Sequence, residues 1–303
     1  MDDNNTILTR VFTQSTMKSF ISEGNDPSIL CKVVRRYKIP CDGEISNGEV
    51  ISEIYNYIGT SYRNEYFYKN TLLNKLLVHV HRLKTTVALT EVPISRSKAD
   101  FIMINGKAVV YEIKTELDTF ERLATQIDDY YKAFDHVCVV ASESQRDELL
   151  ERFKNSPVGI YTLTKKNTLK RVKEPEEYRE KIDLQCIFKI LNKPEYESIV
   201  LQLQGALPDV TPVKHYRECC RIVCNEPIDR IYPMFLKELK KRNRMDIVDL
   251  SEIPDALVFL AYFSKYRKEE FDQLKLFLEK PYVGGSEKCT ILYCVAGKMN
   301  CLP

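Results

Sequence analysis

ADFIMINGKAVVYEIK, residues 99–114, is the stretch on which the fold of this chain turns. Two runs rich in β-branched and large apolar residues flank Asn105-Gly106, a dipeptide suited to the positive backbone angles of a tight hairpin. The run therefore predicts two antiparallel strands. In the second, Glu112-Ile113-Lys114 sets a carboxylate and an ammonium two residues apart, and strand side chains alternate, so both emerge on one face. Val109, Tyr111 and Ile113 are expected to enter the core from the opposite face, which leaves the charged pair beside Ala108 and Val110. The tripeptide alone says little, because Glu238-Leu239-Lys240 repeats it within FLKELKKRNR, a basic helical pattern.

Asp100 opens the first strand, and register decides whether it joins Glu112. A strict two-residue loop at Asn105-Gly106 pairs Asp100 with Tyr111 and turns it away. A three-residue loop of Ile104, Asn105 and Gly106 sets Asp100 against Val110 and diagonal to Glu112. The second arrangement, or an equivalent bulge, is expected.

Outward from the hairpin, TTVALTEVPI upstream and HVCVVAS and VGIYTLT downstream read as further strands. Between them DTFERLATQIDDYYKAF and SQRDELLERFK have helical spacing, with Asp118 and Glu121 placed like a capping pair at the start of the first. Strand, hairpin, helix, strand, helix, strand predicts an α/β fold with a mixed sheet flanked by helices. Helices are expected before it, at SILCKVVRRY, from about Gly48 to Ile58 and from about Tyr62 to His81, where Tyr66, Leu73, Leu76, Leu77 and Val80 form a stripe. Helices also follow it, one capped by Ser251 and a last one at FDQLKLFLEK. The chain then divides into an N-terminal helical region (1–60), an α/β core (61–170) and a mainly helical C-terminal domain (171–303).

Composition bounds the class. With 44% hydrophobic and 29% charged residues among 303, the chain is an ordinary globular protein, and its net charge of +2 announces no partner. No apolar run approaches the roughly 18–20 residues of a membrane span, and MDDNNTILTR lacks the features of a secretory signal, so a cytoplasmic protein is expected. Ten cysteines at this length are read as reduced thiols. His215, Cys219, Cys220 and Cys224, with Cys289, Cys294 and Cys301, fit no standard zinc or iron–sulfur spacing.

Asp100 and Glu112, with the Ile113 carbonyl and waters, would make a hard, all-oxygen site suited to Mg²⁺ or Mn²⁺. Such an ion polarises a phosphate and acidifies a bound water, while Lys114 orients that nucleophile and offsets charge building on phosphorus. Phosphodiester hydrolysis is the natural reaction.

On these residues the chain resembles the PD-(D/E)XK nuclease superfamily, which includes many restriction endonucleases, Holliday-junction resolvases and RecB-like exonucleases. More narrowly it resembles a little-characterised bacterial family of nuclease-like proteins with helices ahead of the core. The resemblance covers about the middle third of the chain and implies a restriction-endonuclease-like core, a four-stranded mixed sheet with a helix on either side. It further implies that a Glu from the preceding helix joins the metal, for which Glu65 is the candidate, and that Gln126 and Tyr130 match the Gln-x-x-x-Tyr of RecB-like members. Ala99 stands where the proline of the pattern would be, which removes no ligand.

The expected partner is nucleic acid, DNA above all, in phage defence, mobile-element biology or repair; no membrane partner is expected, and homo-oligomerisation is left open. Lys165, Lys166, Lys170 and Arg171, with Arg96 and Lys98, are candidates for phosphate-backbone contacts. Lys154, Lys173 and the helix residues Arg63, Lys69, Lys75, Arg82 and Lys84 would suit such contacts too. Two alternatives remain: a catalytically inactive nucleic-acid-binding or assembly module that keeps the fold, and a ribonuclease with the same centre.

Overall fold

The computed structural model describes residues 6–22, 25–41, 43–78, 86–242, 250–264 and 266–284. By internal contacts the chain forms two units, residues 1–70 with 244–303, and residues 71–243.

The first unit is helical. Its elements are α1 (Thr6–Val11), α2 (Gln14–Ile21), α3 (Ser28–Tyr37), α4 (Asn47–Ser61) and the start of α5 (Glu65–Leu73), joined near the end of the chain by two further helices. Helix α4 starts where Ser46 and Glu49 close a capping box, satisfying backbone donors that a helix N-terminus otherwise leaves open. The expected helix to His81 is shorter: α5 ends at Leu73 and widens into a π-turn over Asn74–Val78. The side chains of Leu77 and Val80, and residues His79–His81, Arg82 and Lys84, lie outside what is described.

The second unit carries one six-stranded sheet in sequential order, β1 (Val87–Ile94), β2 (Ser97–Asn105), β3 (Lys107–Ile113), β4 (His136–Ser142), β5 (Gly159–Leu163) and β6 (Leu169–Lys173). Strands β1 to β3 form an antiparallel meander, β3 to β5 run parallel through α6 (Leu123–Tyr130) and α7 (Arg146–Arg152), and β6 returns antiparallel to β5. The linkers dictate this, since a short loop joins only antiparallel neighbours and a parallel pair needs a crossover. The sheet thus has six strands, not the expected four. LKRVK, which forms β6, is too charged to read as a strand; it is an edge strand whose Lys170 and Arg171 stay exposed.

Strand β4 is buried along its whole length, as a parallel strand between two covered faces must be. On the face of Ala108, Val110, Val137, Val139 and Ala141 lie Leu123, Ile127 and Tyr130 of α6 and Leu149 and Phe153 at α7. Helices α8 (Leu184–Ile190), α9 (Lys193–Gln204), α10 (Pro212–Cys224) and α11 (Ile228–Lys240) extend the same core through Ile187, Phe188, Ile199, Val223 and Phe235. The large core therefore forms on the face that holds Glu112, while Val109, Tyr111 and Ile113 are buried on the other. Helices α12 (Val258–Phe263) and α13 (Lys268–Glu279) belong to the first unit, where Phe277 stacks on Phe20 at 4.4 Å. Ser251 caps neither, because it lies inside a short 3₁₀ turn, Leu250–Glu252.

Two local expectations are corrected. Asp118 does not cap α6: its Oδ2 accepts the backbone N–H of Thr115 at 2.7 Å and the Thr115 hydroxyl at 2.8 Å, closing the turn after β3, and α6 starts only at Leu123. The hairpin register also differs. Asn105 pairs with Lys107 around Gly106 alone, whose φ of 73° suits a residue without Cβ, and Ile102 rather than Asp100 faces Val110.

Candidate functional site

The observed register brings Asp100 to the Glu112 face by another route. The β2–β3 ladder runs from Asn105↔Lys107 to Phe101↔Tyr111, so the next pair in phase is Asp100 and Glu112, on one face. The ladder stops there, and the following donor, the Ile113 N–H, is taken by Asp100 Oδ2 at 2.9 Å. The other edge of β2 is irregular at the same place: Thr90 pairs with Phe101 and Val92 with Ala99, while Glu91 between them has φ 57°. Thr90 Oγ1 donates to the Asp100 carbonyl at 2.8 Å. Asp100 is thus fixed through both its main chain and its side chain.

Glu112 is 1% exposed. Its Oε1 accepts Lys114 Nζ at 2.8 Å, and its Oε2 lies 2.5 Å from the Tyr130 hydroxyl. Lys114 Nζ also donates to Gln126 Oε1 at 2.9 Å. Gln126 and Tyr130 are one helical turn apart on α6, the spacing that puts two side chains on one face. Their helix is seated on the sheet by Leu123 and Ile127 between and before them; truncating Ile127 to alanine would cost about 2–5 kcal/mol and loosen both polar side chains. Burial, then the Glu112 carboxylate, pushes the Tyr130 pKa up, so the phenol keeps its proton. Its oxygen also lies 3.0 Å from the Lys98 carbonyl, which gives the single proton two acceptors.

The topology sets this cluster at one edge of the sheet. Because β3, β4 and β5 are parallel, Lys114, Glu143 and Lys165 follow their strands out at the same edge, and antiparallel β2 begins there. Ligands of open α/β sheets bind at such carboxyl edges.

Of the sequence candidates, Asp100, Glu112, Ile113, Lys114, Gln126 and Tyr130 come together. Glu65 opens α5 in the helical unit, exposed and paired with Lys69 at 2.6 Å. Lys165 and Lys166 are exposed in the β5–β6 turn at the carboxyl edge. Arg96 occupies the β1–β2 turn, 3.9 Å from Asp129, and Lys98 pairs with Glu91. Lys170 lies 3.9 Å from Glu143, and Arg171 pairs with Glu174 at 2.7 Å. Lys154 pairs with Glu151, and Lys173 donates to the Phe153 and Ser156 carbonyls, so both serve the fold locally.

Neither Glu91 nor Asp129 is among the site residues that the sequence pointed to. The carboxylate oxygens of Glu91 and Asp100 lie within 4.8 Å of each other. The available signal was Glu91 itself, a lone acid inside an apolar strand. Asp129 is fully buried and bonded to Ser97 Oγ at 2.9 Å and Lys132 Nζ at 2.6 Å. His215, Cys219, Cys220 and Cys224 form no set of three metal-ligating groups among the described residues, and Cys289, Cys294 and Cys301 lie outside them.

Asp100, Glu112 and the Ile113 carbonyl offer only oxygen, the donor chemistry a hard divalent cation takes, and a carboxylate oxygen that accepts one hydrogen bond retains a second lone pair; the Lys114 ammonium sits on Glu112.

Fold and site together define a mixed α/β protein with a six-stranded sheet, flanked by helices and bearing an acid–lysine cluster at its carboxyl edge. The family described as Bacteriophage P4 protein cII matches residues 59–252, which include all six strands and every candidate residue above. The chain belongs to that family. No curated protein and no solved structure matches it. Among the described residues no helix is long and apolar enough to cross a membrane.

Proposed function

We propose that this chain is a metal-dependent nuclease that hydrolyses phosphodiester bonds in DNA, with Asp100, Glu112 and the Ile113 carbonyl holding Mg²⁺ or Mn²⁺. The observation that carries the reading is the hydrogen-bonded join of two separate motifs: Glu112 and Lys114 from the strand meet Tyr130 and Gln126 from the following helix. A salt-bridge cluster on a solvated sheet face has no need of that second, buried pair.

When bound, a divalent cation supplies Lewis-acid polarisation of the phosphate and a water acidified toward neutral pH. The chain's own residues do the rest. Lys114, held by Glu112 and Gln126, keeps an ammonium beside the Glu112 carboxylate, where it offsets negative charge developing on phosphorus. Tyr130 fixes the second oxygen of Glu112, so the carboxylate is oriented before any ligand arrives. Lys165, Lys166 and Arg96 lie at the same edge and suit phosphate contacts that position the strand. Membership in a family named for a bacteriophage protein suits a role in phage defence or mobile-element biology.

A second reading, a non-cleaving nucleic-acid-binding module, is favoured by one observation: both Glu112 oxygens are already bonded in a nearly inaccessible carboxylate. Plasmid, single-stranded DNA and RNA incubated with Mg²⁺, Mn²⁺ or EDTA separate the two. DNA cleavage that needs the metal and drops by about 100-fold or more in Asp100→Ala is the expected result. Binding without cleavage under every metal would favour the module, cleavage of RNA alone would make it a ribonuclease, and cleavage that survives both Asp100→Ala and Lys114→Ala would remove this site.

A further inference from the structure

We infer that Asp129, with Ser97, is a positioning residue for the metal-holding carboxylates, an inference that rests on the nuclease reading. Asp129 is fully buried, yet nothing in the Glu112–Lys114–Gln126–Tyr130 network uses it. A carboxylate there costs desolvation that an apolar residue would not incur, so stability alone is a poor reason for it. Its partners show what it does. Oδ2 accepts Ser97 Oγ at 2.9 Å, Oδ1 accepts Lys132 Nζ at 2.6 Å, and Lys132 lies 3.4 Å from Ser95 Oγ. The end of α6 and the turn after it therefore grip Ser95 of the β1–β2 turn and Ser97 at the start of β2.

The next residue of each element continues the grip, since the Tyr130 hydroxyl lies 3.0 Å from the Lys98 carbonyl. Two residues further along β2 stands Asp100, and the same Tyr130 hydroxyl touches Glu112 on β3. Asp129 and Tyr130 thus fix the start of β2 to the helix that also holds Glu112, at the point where the β2–β3 ladder has ended. Beside the direct bond from the Ile113 N–H to Asp100 Oδ2, the start of β2 is therefore held to the Glu112 strand through α6. Asp129 touches no reacting atom in this scheme; it acts through Ser97.

Calorimetric titration of Mn²⁺ into the full chain, without nucleic acid, tests this directly. Ser97→Ala is expected to weaken Mn²⁺ binding about tenfold, the order seen when an outer partner of a metal ligand is removed. Ser97→Thr, which keeps the hydroxyl, is expected to restore it, and Asp129→Asn to weaken it in the same direction as Ser97→Ala. If Ser97→Ala lowers only the thermal midpoint and leaves the Mn²⁺ affinity unchanged, Asp129 is purely structural and the inference is overturned. If the wild-type chain binds no Mn²⁺, the nuclease reading fails first and takes this inference with it.

Discussion

Glu112 Oε2 and the Tyr130 hydroxyl lie 2.5 Å apart, with both residues sealed from bulk water. The phenol is a proton donor at every ordinary pH, because burial and the carboxylate both push its pKa up. Tyr130→Phe removes that donor and little volume. It is expected to cost about 1–3 kcal/mol in urea unfolding, the penalty for a buried acceptor losing its partner. A phenylalanine variant as stable as the wild type would mean that Glu112 does not depend on the phenol.

Lys114 carries a parallel expectation of larger size. It is 9% exposed and is the cation beside an almost inaccessible Glu112. Lys114→Ala leaves that carboxylate uncompensated and should destabilise the chain by about 3 kcal/mol in chemical denaturation, with Lys114→Gln milder because it can still hydrogen-bond. Cleavage assays on the alanine variant therefore need the folded fraction measured alongside. Equal stability of the three proteins would contradict the pairing.

The Lys165-Lys166 turn is expected to contact phosphates. Replacing both lysines by alanine should lower the slope of log affinity against log salt by about 2, while Mn²⁺ binding stays as in the wild type. Fluorescence anisotropy with a labelled oligonucleotide at several salt concentrations reads this out, and an unchanged slope would place the nucleic-acid path elsewhere.

Asp135 makes stability depend on acid pH. Burial pushes its pKa up, but hydrogen bonds from His136 and Tyr232 and the charges of His136 and Arg179 outweigh burial and hold the carboxyl below its usual range. A depressed carboxyl stabilises the fold fully above its unfolded pKa of about 3.9, and that contribution is lost as pH falls through the lower folded value. Unfolding free energies measured from about pH 6 down to about pH 3 should fall less steeply in Asp135→Asn than in the wild type. Parallel curves would show that the carboxyl titrates alike in both states.

Much of this was legible because strands and helices impose distinct spacings. Gln126 and Tyr130 at four residues and Glu112 and Lys114 at two were readable as pairs, and each pair does share a face. Register was not readable: the loop expected to hold Ile104, Asn105 and Gly106 closes on Gly106 alone, a choice made by strand packing that the dipeptide does not encode. Strand β6 was invisible because an edge strand tolerates charge on exposed positions. Asp129 was invisible for a different reason, since its partners Ser97 and Lys132 are a strand residue far in sequence and a residue of the turn after α6, and only the folded chain unites them.

The single-residue tip at Gly106 has a bearing on how the chain tolerates change. A one-residue slip of β2 against β3 would turn every alternate side chain of the strand over and send Asp100 to the far side of the sheet. A change of loop length that forces such a slip should therefore silence the centre without altering any of its residues.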